Sequence, residues 1–147
     1  DAGVFTKTLN LPQGGWYTVE AKAVDANGAE LTSAQAGRIR EEVLTLLNNP
    51  QFGSLFGPGS KAEVPVIGEA DGKIISAQVD RLVVTENKVM IVDFKTNRPA
   101  AKTPADVPPV YVKQLRAYRD LLARIYPAKQ VQSYILWTDT AQIMQIE

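Results

Sequence analysis

The sequence predicts an α/β or α+β fold in which helices flank one central sheet. Two segments show the 3.6-residue apolar spacing of helices, and five segments are rich in β-branched and aromatic residues. In chain order they form a helix, three antiparallel strands, a second helix and two strands. The chain of 147 residues is long enough for one domain with a sizeable core. We expect residues 31–147 to form this domain.

Residues 1–30 are predicted to be an irregular lead-in. They contain Pro12, Gly14, Gly15 and an Asn27-Gly28 turn signal, and they show little periodicity.

The first helix is predicted over residues 33–48. Thr32 and Gln35 have the spacing of a capping box at its start. Asn49 followed by Pro50 ends the pattern.

The second helix is predicted over residues 110–126, before Pro127. Its apolar face comprises Tyr111, Leu115, Tyr118, Leu122 and Ile125. Gln114 and Tyr118 are four residues apart and therefore share a side of the helix. Two interpretations stay open: Tyr118 is a core aromatic with Gln114 on the helix surface, or the pair belongs to a functional site.

Two-residue turns predict how the first three strands pair. The five strands are predicted over residues 61–70, 73–85, 88–95, 132–137 and 142–146. Asp71-Gly72 and Glu86-Asn87 are turn signals between the first three, and Asp139-Thr140 separates the last two.

This pairing predicts a row of carboxylates across three neighbouring strands. Counting outward from the two turns sets Asp80 opposite Asp93 and Glu63 opposite Asp80. Side chains alternate along a strand, so Lys95 lies on the face of Asp93, and Phe94 points to the apolar side. A single bulge would move Glu63 to the other face.

Directly opposed carboxylates are destabilising unless something neutralises them, and a divalent metal ion is suited to that task. A lysine beside such an ion suits metal-assisted hydrolysis of a phosphodiester bond. In the alternative interpretation, Asp80, Arg81, Asp93 and Lys95 only form surface ion pairs.

Composition restricts the chemistry that this chain can perform. Apolar residues make up 45% and charged residues 22%, as in an ordinary globular protein. The absence of cysteine and histidine excludes disulfides and thiolate sites and leaves carboxylates, lysine and hydroxyls for catalysis. Phosphate-cradling and dinucleotide motifs are missing, so no ATP site is expected here. Without a membrane-spanning run or a leader, we expect a cytoplasmic protein that does not bind membranes.

Positive charge is concentrated after the carboxylates. Between Phe94 and Gln130 there are eight Lys or Arg residues and two Asp residues, although the net charge of the chain is zero. Candidate DNA contacts in this flank are Arg98, Lys102, Lys113 and Arg116. The alternative is a solvated helix face.

Three motifs resemble a known family. They are Gln78-Val79-Asp80-Arg81-Leu82, Ile91-Val92-Asp93-Phe94-Lys95-Thr96-Asn97 and Gln114-Leu115-Arg116-Ala117-Tyr118. Together they resemble the nuclease domain of the AddA and RecB helicase-nucleases, within the PD-(D/E)xK superfamily. The stretches 56–65 and 135–139 are most similar to the alphaproteobacterial AddA type. The resemblance implies a restriction-endonuclease-like core with a mixed sheet.

The resemblance also implies roles for individual residues. Asp80, Asp93 and the backbone carbonyl of Phe94 would bind Mg²⁺ or Mn²⁺, Lys95 would be the catalytic lysine, and Gln114 and Tyr118 would form the helical motif near the site. Glu63 fits the AddA-like pattern as a further ligand.

The implied activity is cleavage of unwound DNA strands during repair of double-strand breaks in the bacterial cytoplasm. The implied partners are DNA, an upstream helicase part of the same protein and an AddB-like subunit. Family members carry a histidine on a helix before the first motif strand, and this chain has none. We therefore expect a fragment that cuts slowly or not at all by itself. Two further hypotheses are a DNA-binding module and a subunit-docking module that keep the fold without cleavage.

Overall fold

A computed structural model describes residues 4–10, 16–22, 31–70 and 72–147. These residues belong to two compact units, Asp1–Gly53 and Ser54–Glu147. The division after Gly53 differs from the boundary near residue 30 that the sequence suggested. That residues 31–53 form one domain with the rest of the chain up to residue 147 stays a prediction.

The first unit contains an antiparallel hairpin that the sequence analysis did not predict. Strands β1 (Val4–Asn10) and β2 (Trp16–Lys22) pair along their whole length, from Val4 opposite Lys22 to Asn10 opposite Trp16. The expectation of an irregular lead-in is therefore wrong for these residues. The breakers Pro12, Gly14 and Gly15 fall between the two strands, whereas the strands themselves are rich in Thr, Val and aromatic residues.

Helix α1 (Ser33–Asn48) follows in the same unit and begins with the predicted capping box. The Thr32 hydroxyl accepts a hydrogen bond from the Gln35 backbone N–H at 3.4 Å, and Gln35 Oε1 accepts one from the Thr32 N–H at 3.0 Å. Two N–H groups that a helix start leaves unpaired are thereby satisfied. Asn49 ends the helix as predicted, and Pro50–Phe52 form a short 3₁₀ turn.

The second unit is built on a mixed five-stranded sheet, which confirms the predicted fold class. After the short helix α2 (Gly53–Phe56), its elements are β3 (Ser60–Ala70), β4 (Lys73–Val84), β5 (Lys88–Lys95), α3 (Pro109–Ile125), β6 (Gln130–Trp137) and β7 (Gln142–Ile146). The strands lie in the order β3-β4-β5-β6-β7. Only β5 and β6 are parallel, and α3 makes the crossover that such a pair requires. Among the described helices, none is long and apolar enough to span a bilayer.

The core of the second unit lies between α3 and one face of the sheet. Fully or nearly fully buried members include Val89, Ile91, Leu115, Leu122 and Ile135. Burying each such side chain contributes about 1.5–3 kcal/mol. A Cβ on Gly68 of β3 would come within 2.7 Å of Leu121 Cδ2, so this strand approaches α3 closely because the position is glycine.

The predicted hairpin registers are confirmed. The Thr85 N–H donates to the Lys88 carbonyl at 2.8 Å, and the β4–β5 pairs run from Val84 opposite Val89 to Arg81 opposite Val92. Between β3 and β4, Ala70 is opposite Lys73, and Gly72 takes the left-handed conformation with a φ of 71°.

Strand β4 changes the face that it turns to the core near Asp80. After Asp80, the even-numbered Leu82 belongs to the core cluster. Before Asp80, the residues that pack in this core are odd-numbered: Ile75, Ala77 and Val79. Regular alternation cannot place both sets on one face. The strand is therefore irregular at Asp80.

The neighbouring position on β3 is irregular as well. The pairing of β3 with β4 passes from Ala62 opposite Arg81 to Val64 opposite Val79 and leaves out Glu63 and Asp80. Glu63 has a φ of 51°, which is uncommon for a residue other than glycine. The hairpin keeps its predicted register on both sides of this break.

Candidate active site

Asp93 lies at the centre of the candidate site, near the carboxyl end of β5. The side chain of Asp93 is 6% exposed. Lys95 Nζ is 2.5 Å from Asp93 Oδ2, and Gln114 Nε2 donates to Asp93 Oδ1 at 3.4 Å. Burial raises the pKa of the Asp93 carboxyl, Lys95 opposes this shift, and the charge of Asp80 adds to it. The predicted alternation of Asp93 and Lys95 on one face is thus observed, and their ion pair is largely buried, with side-chain exposures of 6% for Asp93 and 16% for Lys95.

Asp80 joins the site where the pairing of β4 with β5 ends. In a continued ladder Phe94 would lie opposite Val79, since the last pair is Arg81 with Val92. Instead the Phe94 N–H donates to Asp80 Oδ2 at 2.8 Å, so a carboxylate replaces a backbone carbonyl as the acceptor. The N–H and C=O of one strand residue point to the same side. The Phe94 carbonyl therefore lies on the edge of β5 that faces Asp80.

Arg81 does not take part in the ion pair of this cluster. Its guanidinium carbon lies 5.2 Å from the centroid of the Phe56 ring, a cation–π distance. Burial lowers the pKa of Arg81, and the charge of Glu63 opposes this shift. Lys95 is therefore the cation that faces Asp93.

Gln114 and Tyr118 of α3 cover the other side of Asp93. Gln114 Nε2 donates to the Tyr118 hydroxyl oxygen at 2.8 Å as well as to Asp93. Tyr118 is buried and belongs to the core cluster. The two interpretations of this pair are therefore compatible, because a core tyrosine fixes the amide that contacts the carboxylate.

Tyr111 is a residue of the site that the sequence analysis assigned only to the apolar helix face. The Lys95 ammonium lies 4.3 Å from the centroid of its ring, and its hydroxyl donates to Asn97 Oδ1 at 2.9 Å. The spacing could have indicated that Tyr111 belongs to the site. Tyr111, Gln114 and Tyr118 are three and four residues apart and therefore share one side of α3.

The predicted row contains two carboxylates rather than three. The Glu63 side chain is exposed, and Glu63 Oε2 accepts a hydrogen bond from Gln78 Nε2 at 2.6 Å. Within the described residues, no cluster of three or more Asp, Glu, His or Cys side chains that could hold a metal ion is found. The prediction of three carboxylates in a row relied on regular alternation of side chains along β3. The left-handed backbone at Glu63 breaks this alternation, and this is the physical reason for the difference. The role of Glu63 as a ligand stays a prediction.

The four basic candidates lie in two places. Arg98 and Lys102 are exposed on the loop after β5, where Lys102 helps to line a 370 Å³ pocket with Asn97, Tyr111 and Trp137. Lys113 and Arg116 line a separate 990 Å³ groove whose wall contains none of the site carboxylates. Arg116 Nε also donates to the Glu147 backbone carbonyl at 3.0 Å. Their contacts with DNA stay predictions.

The donor chemistry of Asp80 and Asp93 fits a hard divalent cation. Carboxylate oxygens are the ligands that Mg²⁺ and Mn²⁺ prefer. Burial raises the pKa of Asp93, and the nearby charge of Asp80 raises it further, although Lys95 forms an ion pair with Asp93. A bound cation would neutralise the remaining negative charge.

Similarity to known proteins identifies the superfamily of this chain. Residues 10–144 match the PD-(D/E)XK nuclease superfamily, and the chain belongs to this superfamily. Its members are nucleases that typically use divalent metal ions. No curated protein matches the sequence.

One similar solved structure is described as "Crystal structure of SSO0001", with a TM-score of 0.43 and 18% identity. The similarity covers 78% of this chain and 60% of that chain, so the chain spans about three fifths of that protein's length.

Proposed function

We propose that this site hydrolyses phosphodiester bonds of DNA with a Mg²⁺ or Mn²⁺ ion bound by Asp80 and Asp93. The observation that carries the proposal is that both carboxylates come to the end of β5, where Asp80 accepts from the Phe94 N–H and Asp93 forms an ion pair with Lys95. A purely structural role would not favour this crowding, since like charges destabilise the fold when nothing neutralises them.

Each side chain has a distinct task in the proposed reaction. Asp80, Asp93 and the Phe94 carbonyl would hold the ion, which when bound would polarise the phosphate and acidify water. Lys95 places a positive charge where negative charge develops on the phosphate. Gln114 orients the Asp93 carboxylate, and the buried Tyr118 hydroxyl fixes Gln114.

We further propose that the domain is the nuclease part of an ATP-dependent helicase-nuclease of the AddA or RecB type. The three motifs around Asp80, Asp93 and Gln114 support this assignment. Its substrate would be a DNA strand unwound by a helicase part, with an AddB-like partner subunit, in repair of double-strand breaks in the bacterial cytoplasm. Nothing in the motifs of this chain predicts an ATP site.

A second candidate function is a DNA-binding module that keeps the fold and does not cut. The observation that favours it is the orientation of Glu63, which bonds to Gln78 and leaves the site with two acidic side chains. Such a module would bind DNA in a salt-dependent way through the basic flank.

The test is cleavage of end-labelled single-stranded DNA in Mg²⁺ or Mn²⁺ by the wild type and three variants. Asp80→Asn and Asp93→Asn remove one site charge each, and Glu86→Gln removes an exposed charge in the β4–β5 turn as a matched control. We expect slow cleavage by the wild type, an equal rate for Glu86→Gln, and a rate at least about 100-fold lower for both site variants. Binding of DNA by all four proteins, with no cleavage by any of them, would favour the binding module instead.

A further inference from the structure

The ammonium of Lys95 has two neighbours in the structure, and they differ in kind. One is the Asp93 carboxylate, with Oδ2 at 2.5 Å. The other is the aromatic ring of Tyr111, whose centroid lies 4.3 Å from Nζ, well within the distance of a cation–π contact. The side chain of Lys95 is 16% exposed, so water screens the contact with the ring only partly.

The ring of Tyr111 is itself held in place. Its hydroxyl donates to Asn97 Oδ1 at 2.9 Å, and Asn97 follows Lys95 by two residues. The ring therefore bridges helix α3 and the chain segment that carries the lysine. Neither Tyr111 nor Asn97 touches a carboxylate of the site in these contacts.

We infer that Tyr111 is a positioning residue for Lys95, an inference that rests on the proposed function of the lysine. Asp93 is also the proposed metal ligand, so its contact with the ammonium competes with metal binding. The ring does not compete with a metal ion, so it can hold the ammonium whether or not Asp93 binds metal. Lysine has a flexible four-carbon stem, and without the ring it would sample more positions.

The first test needs neither metal nor substrate. In protein labelled at lysine, the ε-CH₂ signal of Lys95 should lie upfield of the other lysine signals because of the ring current of Tyr111. Lys95→Arg assigns that signal by its disappearance. We expect the upfield shift to persist in Tyr111→Phe and to vanish in Tyr111→Leu, which keeps apolar volume at the site. An unchanged Lys95 signal in Tyr111→Leu would overturn the inference.

The second test separates positioning from general stability by kinetics. Loss of a cation–π contact corresponds to about 3- to 30-fold in rate. We expect Tyr111→Leu to lower kcat by this amount with a smaller change in KM, and Tyr111→Phe to restore most of kcat. The matched control is Tyr134→Leu. Like Tyr111, Tyr134 donates to a side-chain amide oxygen, that of Gln132 at 3.1 Å. Unlike Tyr111, it lies opposite Val92 on the other face of the sheet.

The two tests keep this inference distinct from the proposed function. A wild type that never cleaves DNA would overturn the proposed function, and the ring-current shift would still decide whether Tyr111 fixes Lys95. A wild type that cleaves, with Tyr111→Leu as active as Tyr134→Leu, would overturn the positioning role alone.

Discussion

The carboxylate of Asp80 accepts a hydrogen bond from the backbone N–H of Phe94 at 2.8 Å, just past the last backbone pair between β4 and β5. This contact serves the fold, because it satisfies an N–H that would otherwise lack its ladder partner. It also serves the site, because it holds Asp80 close enough to influence the pKa of Asp93. One side chain thus has a structural and a proposed catalytic role.

Substitutions of Asp80 should separate these two roles. Asp80→Asn keeps an acceptor oxygen for the Phe94 N–H, whereas Asp80→Ala leaves that donor unpaired at a cost of about 1–3 kcal/mol in the free energy of unfolding. Denaturant titration should therefore rank Asp80→Asn near the wild type and Asp80→Ala below it, while both variants lose cleavage. Equal stability of the two variants would show that the hydrogen bond contributes little.

The buried carboxyl of Asp93 should make stability depend on pH. Its pKa in the folded state is raised, so the cost of burying the charge is absent at low pH and grows as pH rises through the folded pKa. Asp93→Asn does not titrate. We therefore expect the stability of Asp93→Asn relative to the wild type to increase as the pH rises above about 4.

Denaturant titrations of both proteins across this pH range provide the measurement for Asp93. A relative gain by the wild type with rising pH would mean that Lys95 lowers the pKa more than burial raises it. Glu86→Gln, which replaces an exposed carboxylate by an amide, is the matched control.

Gln114 should matter for rate more than for folding. Its amide joins the Asp93 carboxylate to the Tyr118 hydroxyl, and loss of such outer contacts typically lowers metal affinity or activity 10- to 100-fold. We expect about this loss in the cleavage rate of Gln114→Ala and a smaller loss in Tyr118→Phe. Tyr126→Phe, at the end of the same helix, is the control. Wild-type rates in Gln114→Ala would exclude a role for this amide.

The close approach of β3 to α3 can be tested at Gly68. A methyl group there would meet Leu121 Cδ2 at 2.7 Å, and overpacking a core typically costs about 1–3 kcal/mol. Gly68→Ala should therefore lower the free energy of unfolding, and the loss in the double variant with Leu121→Ala should be smaller than the sum of the two single losses. Gly37→Ala in α1 has open space around it and should not destabilise the protein. A neutral Gly68→Ala would mean that Leu121 moves away at little cost.

Local signals were sufficient to predict much of this fold. The capping box at Thr32, the two-residue turn before Lys88 and the turn at Gly72 depend on residues within a few positions of each other. They gave the bounds of α1 and the register of both hairpins. The Asp93 and Lys95 pair followed from the same local alternation.

Features that depend on irregular backbone or distant contacts were not predictable in this way. The left-handed φ of Glu63 has no signature in the residue type, and it removes the third carboxylate from the predicted row. The contact of Lys95 with Tyr111 joins a strand to a helix across a proline-rich loop. In the N-terminal unit, the Pro and Gly residues after Asn10 led to the prediction of irregular structure, whereas they separate two paired strands.

The proposed metal centre is tested most directly by Mn²⁺ binding to the metal-free protein, followed by electron paramagnetic resonance. If Asp80 and Asp93 form one site, the wild type binds Mn²⁺, and Asp80→Asn and Asp93→Asn each weaken binding by at least about tenfold, while Glu86→Gln does not. Equal Mn²⁺ affinity in the wild type and in both site variants would contradict the claim that these two carboxylates form the metal centre.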